Sequence, residues 1–295
     1  MNDAPNTHCG FISIIGRPNV GKSTLMNHLV GQKISITSRK PQTTRHKING
    51  VLTQDNYQYV FVDTPGFQKL YVNKLNTLLN QSVINSLEHV DSILFVVEAG
   101  SFNDGDSMVL GLLPAEANVI LVVNKVDKIK DKRALREYVN KVKSKYPFKA
   151  VCEIAAKHHA GMDEILNALT PCMPSGPFLY TEDQLTDRSD KFLVSEIIRE
   201  KLFRYLGAEL PYNMAVDVEE FKTEKDLIRI TATIIVDREN QKGMVIGKNG
   251  DKLKQISTEA RQDMETLLDG KVFLQVWVKV RSGFADSAKF LAQFE

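Results

Sequence analysis

Between Cys9 and Met173 short apolar runs alternate with longer stretches of mixed, helix-like composition. The runs fall at residues 10–15, 46–53, 57–62, 92–97, 119–123 and 150–154. Their near-continuous apolar character predicts buried strands, and the stretches between them predict covering helices. The expectation is an α/β domain: a mostly parallel six-stranded sheet with helices on both faces. Only Gln54, Asp55 and Asn56 separate the second and third runs, which predicts an antiparallel hairpin within the sheet.

The alternation stops near Pro171. Pro174, Gly176 and Pro177 interrupt regular structure and a polar, acidic stretch follows. Residues 174–190 are therefore expected to link a first domain, 1–173, to a second, 191–295. The second opens with a helix over 192–206, where Leu193, Ile197, Leu202 and Leu206 fall at helical spacing. Strands over 215–221 and 227–236, a helix over 250–268 and a strand over 272–280 complete the order helix, strand, strand, helix, strand.

Charge narrows the options. The 38 basic and 36 acidic residues leave a formal net charge of +2, so any nucleic-acid site must be a local patch. Cys9, Cys152 and Cys172 show no CxxC spacing, which argues against a disulfide framework or zinc site and fits a reducing cytoplasm. Residues 1–8 lack the basic-then-apolar pattern of a secretory signal. The apolar runs are far shorter than the ~20 residues needed to span a bilayer.

Three polar strings follow three of the expected strands. Gly16-Arg17-Pro18-Asn19-Val20-Gly21-Lys22-Ser23 fits GxxxxGK[ST] and is followed by Thr24. It lies where a strand ends and a helix opens, as a phosphate loop requires: backbone N–H groups and the helix N-terminus face phosphate oxygens. Lys22 would neutralise the β and γ phosphates, and the Ser23 hydroxyl would serve Mg²⁺, which prefers oxygen ligands. Asp63-Thr64-Pro65-Gly66 places an acid within reach of the metal and a glycine N–H near the γ phosphate. Alone, this string reads equally well as a Pro-Gly turn. Asn124-Lys125-Val126-Asp127 supplies a guanine pocket, in which the Asp127 carboxylate accepts from the ring N–H and exocyclic amine, a donor pair adenine lacks. Asn124 would brace the loop and the Lys125 stem would cover the base.

With these motifs in this order, the sequence resembles the translation-factor-like P-loop GTPases and specifically the bacterial Era family (Era/TrmE-like, with a C-terminal KH domain). The resemblance implies binding of GTP and GDP, Mg²⁺ as cofactor, and hydrolysis of GTP to GDP and phosphate. It assigns Ala155-Ala156-Lys157 to the last guanine-contacting loop, where the family usually has Ser-Ala, so a bracing hydroxyl is missing at Ala155. It assigns Pro41-Gln42-Thr43-Thr44-Arg45 to the first switch, with both Thr43 and Thr44 open as the Mg²⁺ ligand. Phe67 follows Gly66 where many GTPases carry glutamine, so intrinsic turnover is expected to be slow, with Gln68 the nearest substitute. Asn19 resembles the asparagine of potassium-stimulated relatives and marks a K⁺ site. Loss of the γ phosphate is expected to release both switches, 32–45 and 67–82.

In the second domain, Val245-Ile246-Gly247-Lys248-Asn249-Gly250 presents a GxxG turn before an amphipathic helix. Residues 242–254 hold four lysines against the single acid Asp251, the local patch that the net charge demands. The order of elements resembles a prokaryotic-type (type II) KH domain, an α+β fold whose GxxG clamps about four nucleotides. Ile246, Gly247, Lys248, Asn249, Gly250 and Lys252 are the expected RNA contacts. Ile246 and the strand at Val236 are candidates for the base groove, although core positions are the ordinary fate of both, and Trp277 reads as a packing residue. The Era resemblance implies binding to the 3′ end of 16S ribosomal RNA in the small subunit, with roles in rRNA processing and 30S biogenesis, by a monomer in the cytoplasm. The competing reading is a membrane-associated signalling or cell-cycle GTPase, peripheral on the cytoplasmic face of the membrane, whose second domain binds protein or lipid. Lys191, Arg199, Lys201 and Arg204 on helix 192–206 motivate it. An ATP-dependent kinase or transporter ATPase is disfavoured by the guanine tetrad.

Overall fold

The computed structural model describes residues 7–38, 40–41, 43–67, 74–207 and 210–283. The chain divides into two compact units: Met1–Ser35 with Thr44–Asp187, and Ile36–Thr43 with Arg188–Glu295.

The first unit carries β1 (His8–Ile15), β2 (Ile48–Gln54), β3 (Tyr57–Asp63), β4 (Ser92–Glu98), β5 (Val119–Asn124) and β6 (Ala150–Ile154) in the spatial order β2-β3-β1-β4-β5-β6. All neighbours run parallel except the β2–β3 hairpin. Helices α1 (Lys22–Val30), α2 (Lys74–Asn85), α3 (Asp104–Leu110), α4 (Lys132–Lys143) and α5 (Met162–Leu169) follow in chain order. Ile12, Ile14, Phe95, Leu121 and Val123 are completely buried, as strands covered on both faces must be. Residues 174–187, within the expected linker, pass from β1, where Ser175 bridges His8, over the Gln58 side chain of β3 to the outer edge of β2, where Thr186 bridges Gly50. Val51 donates its N–H to the Leu185 carbonyl (2.8 Å), and the Thr186 hydroxyl donates to the Asn49 carbonyl (2.7 Å). The strap satisfies backbone groups of an edge strand that would otherwise invite pairing with another chain.

The second unit holds α6 (Asp190–Tyr205), β7 (Met214–Glu224), β8 (Leu227–Val236), α7 (Glu239–Ile246), α8 (Asp251–Leu267) and β9 (Lys271–Val280). Its sheet has the order β7-β8-β9, with β8 parallel to β9 and antiparallel to β7. Helix α7 is an element that the apolar pattern does not predict. It is eight residues long, mostly polar and interrupted by Gly243, so it carries no amphipathic stripe. Ile198, Leu202, Ile230, Ile234, Val236, Val245, Ile256 and Met264 form the core on one face of this sheet.

One expectation is corrected here, and the competing reading of helix 192–206 loses its motive. Trp277 is not a packing residue: it is 51% exposed and Phe273 is 49% exposed, because Val272, Leu274, Val276 and Val278 take the core face of β9. Helix α6 does not present its cations as one basic surface. Arg199 and Lys201 are buried, Arg199 paired with Glu196 (2.6 Å) and Lys201 with Asp263 (2.6 Å). Arg199 also donates through Nη2 to the Thr43 carbonyl (2.6 Å), fixing the segment Ile36–Thr43 within this unit. Among the described residues no helix is long and apolar enough to cross a membrane.

Candidate nucleotide and RNA sites

The phosphate-loop, Asp63, Asn124 and Ala155 segments leave the carboxyl ends of β1, β3, β5 and β6, the edge where open α/β sheets bind ligands. The loop from Gly16 to Gly21 turns β1 into α1. Gly21 sits at φ +105°, and a Cβ there would lie 2.3 Å from the Asn124 amide nitrogen, so both conformation and space require glycine. Lys22 opens the helix and Ser23 and Thr24 follow in its first turn. The Lys22 ammonium donates to the Gly16 and Arg17 carbonyls (3.1 and 3.2 Å). Burial pushes its pKa down to about 8, against the pull of Asp63. A triphosphate would restore the full charge.

Asp63, at the end of β3, is completely buried, and burial raises its pKa against the opposing effects of Lys22 and three hydroxyls. Its Oδ2 accepts from the hydroxyls of Ser23 (2.7 Å) and Ser35 (2.8 Å), with Thr44 Oγ1 at 3.4 Å. Ser23 and Thr44 hydroxyls lie 2.9 Å apart. Asp63 Oδ1 is buried with no hydrogen-bond partner among the described residues. One carboxylate with an orphan oxygen and several hydroxyls forms an all-oxygen donor set suited to Mg²⁺. Of the two candidate threonines, Thr44 joins this cluster, whereas the Thr43 hydroxyl donates to the Lys40 carbonyl (2.9 Å). The Thr64 hydroxyl is tied to the Ile14 carbonyl (3.0 Å), and Gly66 lies against Pro18 so closely that a Cβ would be 2.8 Å away. Phe67 is buried in the apolar core with Val83 and Phe95, so its ring does not face the phosphates as a glutamine would. Gln68 and Gln42 lie outside the described residues.

Asn124 ties the site together. Its amide nitrogen donates to the Val20 carbonyl (2.8 Å), and its Oδ1 accepts from the backbone N–H groups of Lys125 (2.7 Å) and Ala156 (3.0 Å). The Ala156 N–H is therefore already engaged, and a guanine carbonyl would have to share it. In place of the missing hydroxyl at Ala155, the loop is closed by a backbone bridge between Ala155 and Ala160. Lys125 adopts φ +66° and extends to the Asn19 carbonyl (2.7 Å) and Glu98 (2.8 Å), while Lys157 lies in the turn after β6. Asp127 is partly exposed, and His158 Nε2 lies 3.7 Å from its Oδ2, so a base bound there would share that carboxylate with an imidazole. Asn19 itself is exposed at φ +66°.

In the second unit, the GxxG turn joins α7 to α8. Gly247 (φ +75°), Asn249 (+53°) and Gly250 (+81°) are left-handed, and a Cβ on Gly247 would meet the Lys252 Cβ at 2.7 Å. Lys248 and Asn249 are exposed at its tip. Ile246 is half-buried and Val236 is wholly in the core.

Two family models match the chain: a 50S ribosome-binding GTPase over residues 11–125 and a KH domain over 209–283. The GTPase Era of Chromobacterium violaceum is 56% identical over 294 residues, covering 100% of this chain and 99% of that protein. The Era family it is. That of Neisseria meningitidis serogroup C is 55% identical, with 97% and 94% covered. A crystal structure of Era with MgGDPNP and nucleotides 1506–1542 of 16S ribosomal RNA superposes with TM-score 0.91 at 35% identity, covering 98% of each chain. An Aquifex aeolicus Era variant bound to GDP and AlF4⁻ gives 0.92 at 35%, covering 98% and 99%.

Several groups in this Era-family site carry no sequence signal. Ser35 joins the Asp63 cluster, held by Asn27, whose Oδ1 accepts from the N–H groups of Ile34 (3.0 Å) and Ser35 (2.9 Å). Glu98 gathers Lys125 and Lys128 (each 2.8 Å), and Asp106 holds Arg17 of the phosphate loop (3.0 Å). Each is a lone polar residue outside any spaced motif.

Proposed function

We propose that this Era-family chain binds GTP with Mg²⁺, hydrolyses it slowly to GDP and phosphate, and uses its KH unit to bind the 3′ end of 16S ribosomal RNA during rRNA processing and 30S assembly. The observation that carries this reading is the near-complete likeness to the Era structure holding MgGDPNP and a 16S rRNA segment. Ser23 and Thr44, with Asp63 behind them, would hold Mg²⁺, which supplies charge neutralisation at the phosphates. Lys22 adds a second positive charge, and the loop N–H groups orient the triphosphate. Asp127 selects the base. No side chain orients the attacking water in the position after Gly66, since Phe67 is in the core; this supports a low intrinsic rate. The γ phosphate and metal would draw on Thr44, while its neighbour Thr43 is bonded to Arg199 in the KH unit, so nucleotide state biases that unit. The chain acts as a cytoplasmic monomer; the burial of Arg199 and Lys201 disfavours peripheral membrane association through helix α6.

The RNA arm is tested with Lys248→Asp/Asn249→Asp. Binding of a 16S 3′-end oligonucleotide is expected to weaken roughly tenfold or more as cationic character is lost from the clamp, with RNA-free GTP turnover unchanged. Undiminished binding would refute the clamp assignment. For Asn19, GTP turnover is expected to be faster in K⁺ than in Na⁺ at equal ionic strength, K⁺ sitting near the phosphates as an added positive charge. Equal rates would remove the K⁺ site.

A further inference from the structure

Of the large apolar side chains exposed among the described residues, the two aromatic ones share one face of one strand. Phe273 and Trp277 are four residues apart on β9, about 13 Å along the strand, both pointing away from the core under α8. Charge on this face is segregated. The β9 row reads Lys271, Phe273, Gln275, Trp277, Lys279, with Arg281 just beyond the strand and no acid among them. The far strand, β7, carries Asp217, Glu219, Glu220 and Glu224 against one cation, Lys222, which pairs with Glu220. Between them, β8 places Arg229 opposite Phe273 and Thr233 opposite Trp277. The Arg229 guanidinium lies 5.3 Å from the Phe273 ring centroid and is held there by Glu224 (2.7 Å). Lys279 and Thr233 both reach Glu219, at 2.8 and 2.7 Å.

From this arrangement we infer that the open face of the KH sheet along β9 is a second RNA contact, a stacking platform for single-stranded bases on Trp277 and Phe273 with backbone phosphates along Lys271, Lys279 and Arg281. It rests on the RNA-binding reading and is separate from the GxxG turn, which lies between helices on the other side of the sheet. An aromatic ring offers its face to any base, and the cations flanking the aromatic pair reach the phosphates, so the platform takes single strands with little sequence preference. An acidic or apolar protein partner matches the row less well, because Gln275 between the rings and the cations at either end leave no continuous apolar patch.

Trp277 is the only tryptophan in the chain, so tryptophan emission, excited where the eight tyrosines do not absorb, reads this site alone. The full-length protein is titrated with a short fluorescein-labelled single-stranded oligoribonucleotide for anisotropy, and with its unlabelled form for Trp277 emission, at fixed salt. RNA is expected to quench the emission. Trp277→Ala is expected to weaken binding roughly tenfold, with Phe273→Ala adding to the loss and Trp277→Phe retaining most of the affinity. In Lys248→Asp/Asn249→Asp, overall affinity falls but saturating RNA still quenches Trp277. Unchanged affinity of Phe273→Ala/Trp277→Ala, confirmed folded by circular dichroism, overturns the platform. So does quenching that vanishes in the GxxG variant at saturating RNA, or emission that shifts with protein concentration alone, which assigns the face to a second copy. If the wild-type chain binds no RNA at all, the RNA reading itself fails, and the platform with it.

Discussion

Asp127→Asn is expected to lower GTP affinity by roughly 10² to 10⁴ and to make XTP the preferred nucleotide. Two hydrogen bonds to an ionised acceptor are worth about 1.5–3 kcal/mol each, and every 1.4 kcal/mol is tenfold. The asparagine amide offers one donor and one acceptor, which suits the C2 carbonyl and ring N–H of xanthine and mismatches the two donors of guanine. Asp127 is partly exposed and its only described ionic neighbour is His158 at 3.7 Å, so the substitution leaves the buried loop bonds of Asn124 intact. Fluorescent-nucleotide displacement by GTP and XTP on both chains measures the exchange. Retained GTP preference in the variant would mean that the base is read elsewhere.

Arg199→Ala is expected to be the most destabilising single change in the second unit, costing about 3–5 kcal/mol, because it leaves the buried Glu196 carboxylate without its partner. Glu196 and Arg199 are both nearly inaccessible and joined by two bonds of 2.6 Å. The same change frees the Thr43 carbonyl. If that bond transmits nucleotide state, the ratio of RNA affinities measured with a non-hydrolysable GTP analogue and with GDP falls toward one. Urea unfolding reads the stability loss. The double replacement Glu196→Met/Arg199→Met, which removes the charges together, is expected to recover much of the stability without restoring the ratio. A variant that unfolds more easily but keeps the wild-type ratio would show that Arg199 is a packing residue alone.

Much of the first unit was legible because its strands are buried on both faces. A run such as residues 119–123 admits few other readings, and the motifs stand at the strand ends where the chain must turn. The six-stranded sheet and its antiparallel edge hairpin follow from that pattern, whereas the KH strands β8 and β9, open on one face, follow from apolar positions alternating with polar ones. Helix α7 was hidden by Gly243 and by its polar residues, a composition that owes its helicity to packing of Val245 and not to periodicity. Trp277 was misjudged on residue type. The alternation with Gln275 and Lys279 already placed it on a polar face, and strand geometry overrides the usual burial of tryptophan. Ser35, Glu98 and Asp106 were invisible because each acts on a residue distant in sequence, as does Arg199 on Thr43 across 156 positions. Tertiary proximity of that kind leaves no local periodicity to read.

Base selection by the loop after β5 is the claim on which the account stands. The direct measurement is equilibrium competition on the purified full-length chain with Mg²⁺ present, using a fluorescent guanine nucleotide as probe. GTP and GDP are expected to displace it, while ATP leaves it bound even at roughly a thousandfold excess, the discrimination expected when a site's buried polar groups go unpaired by the wrong ligand. Displacement by ATP and GTP at equal concentrations would contradict the account.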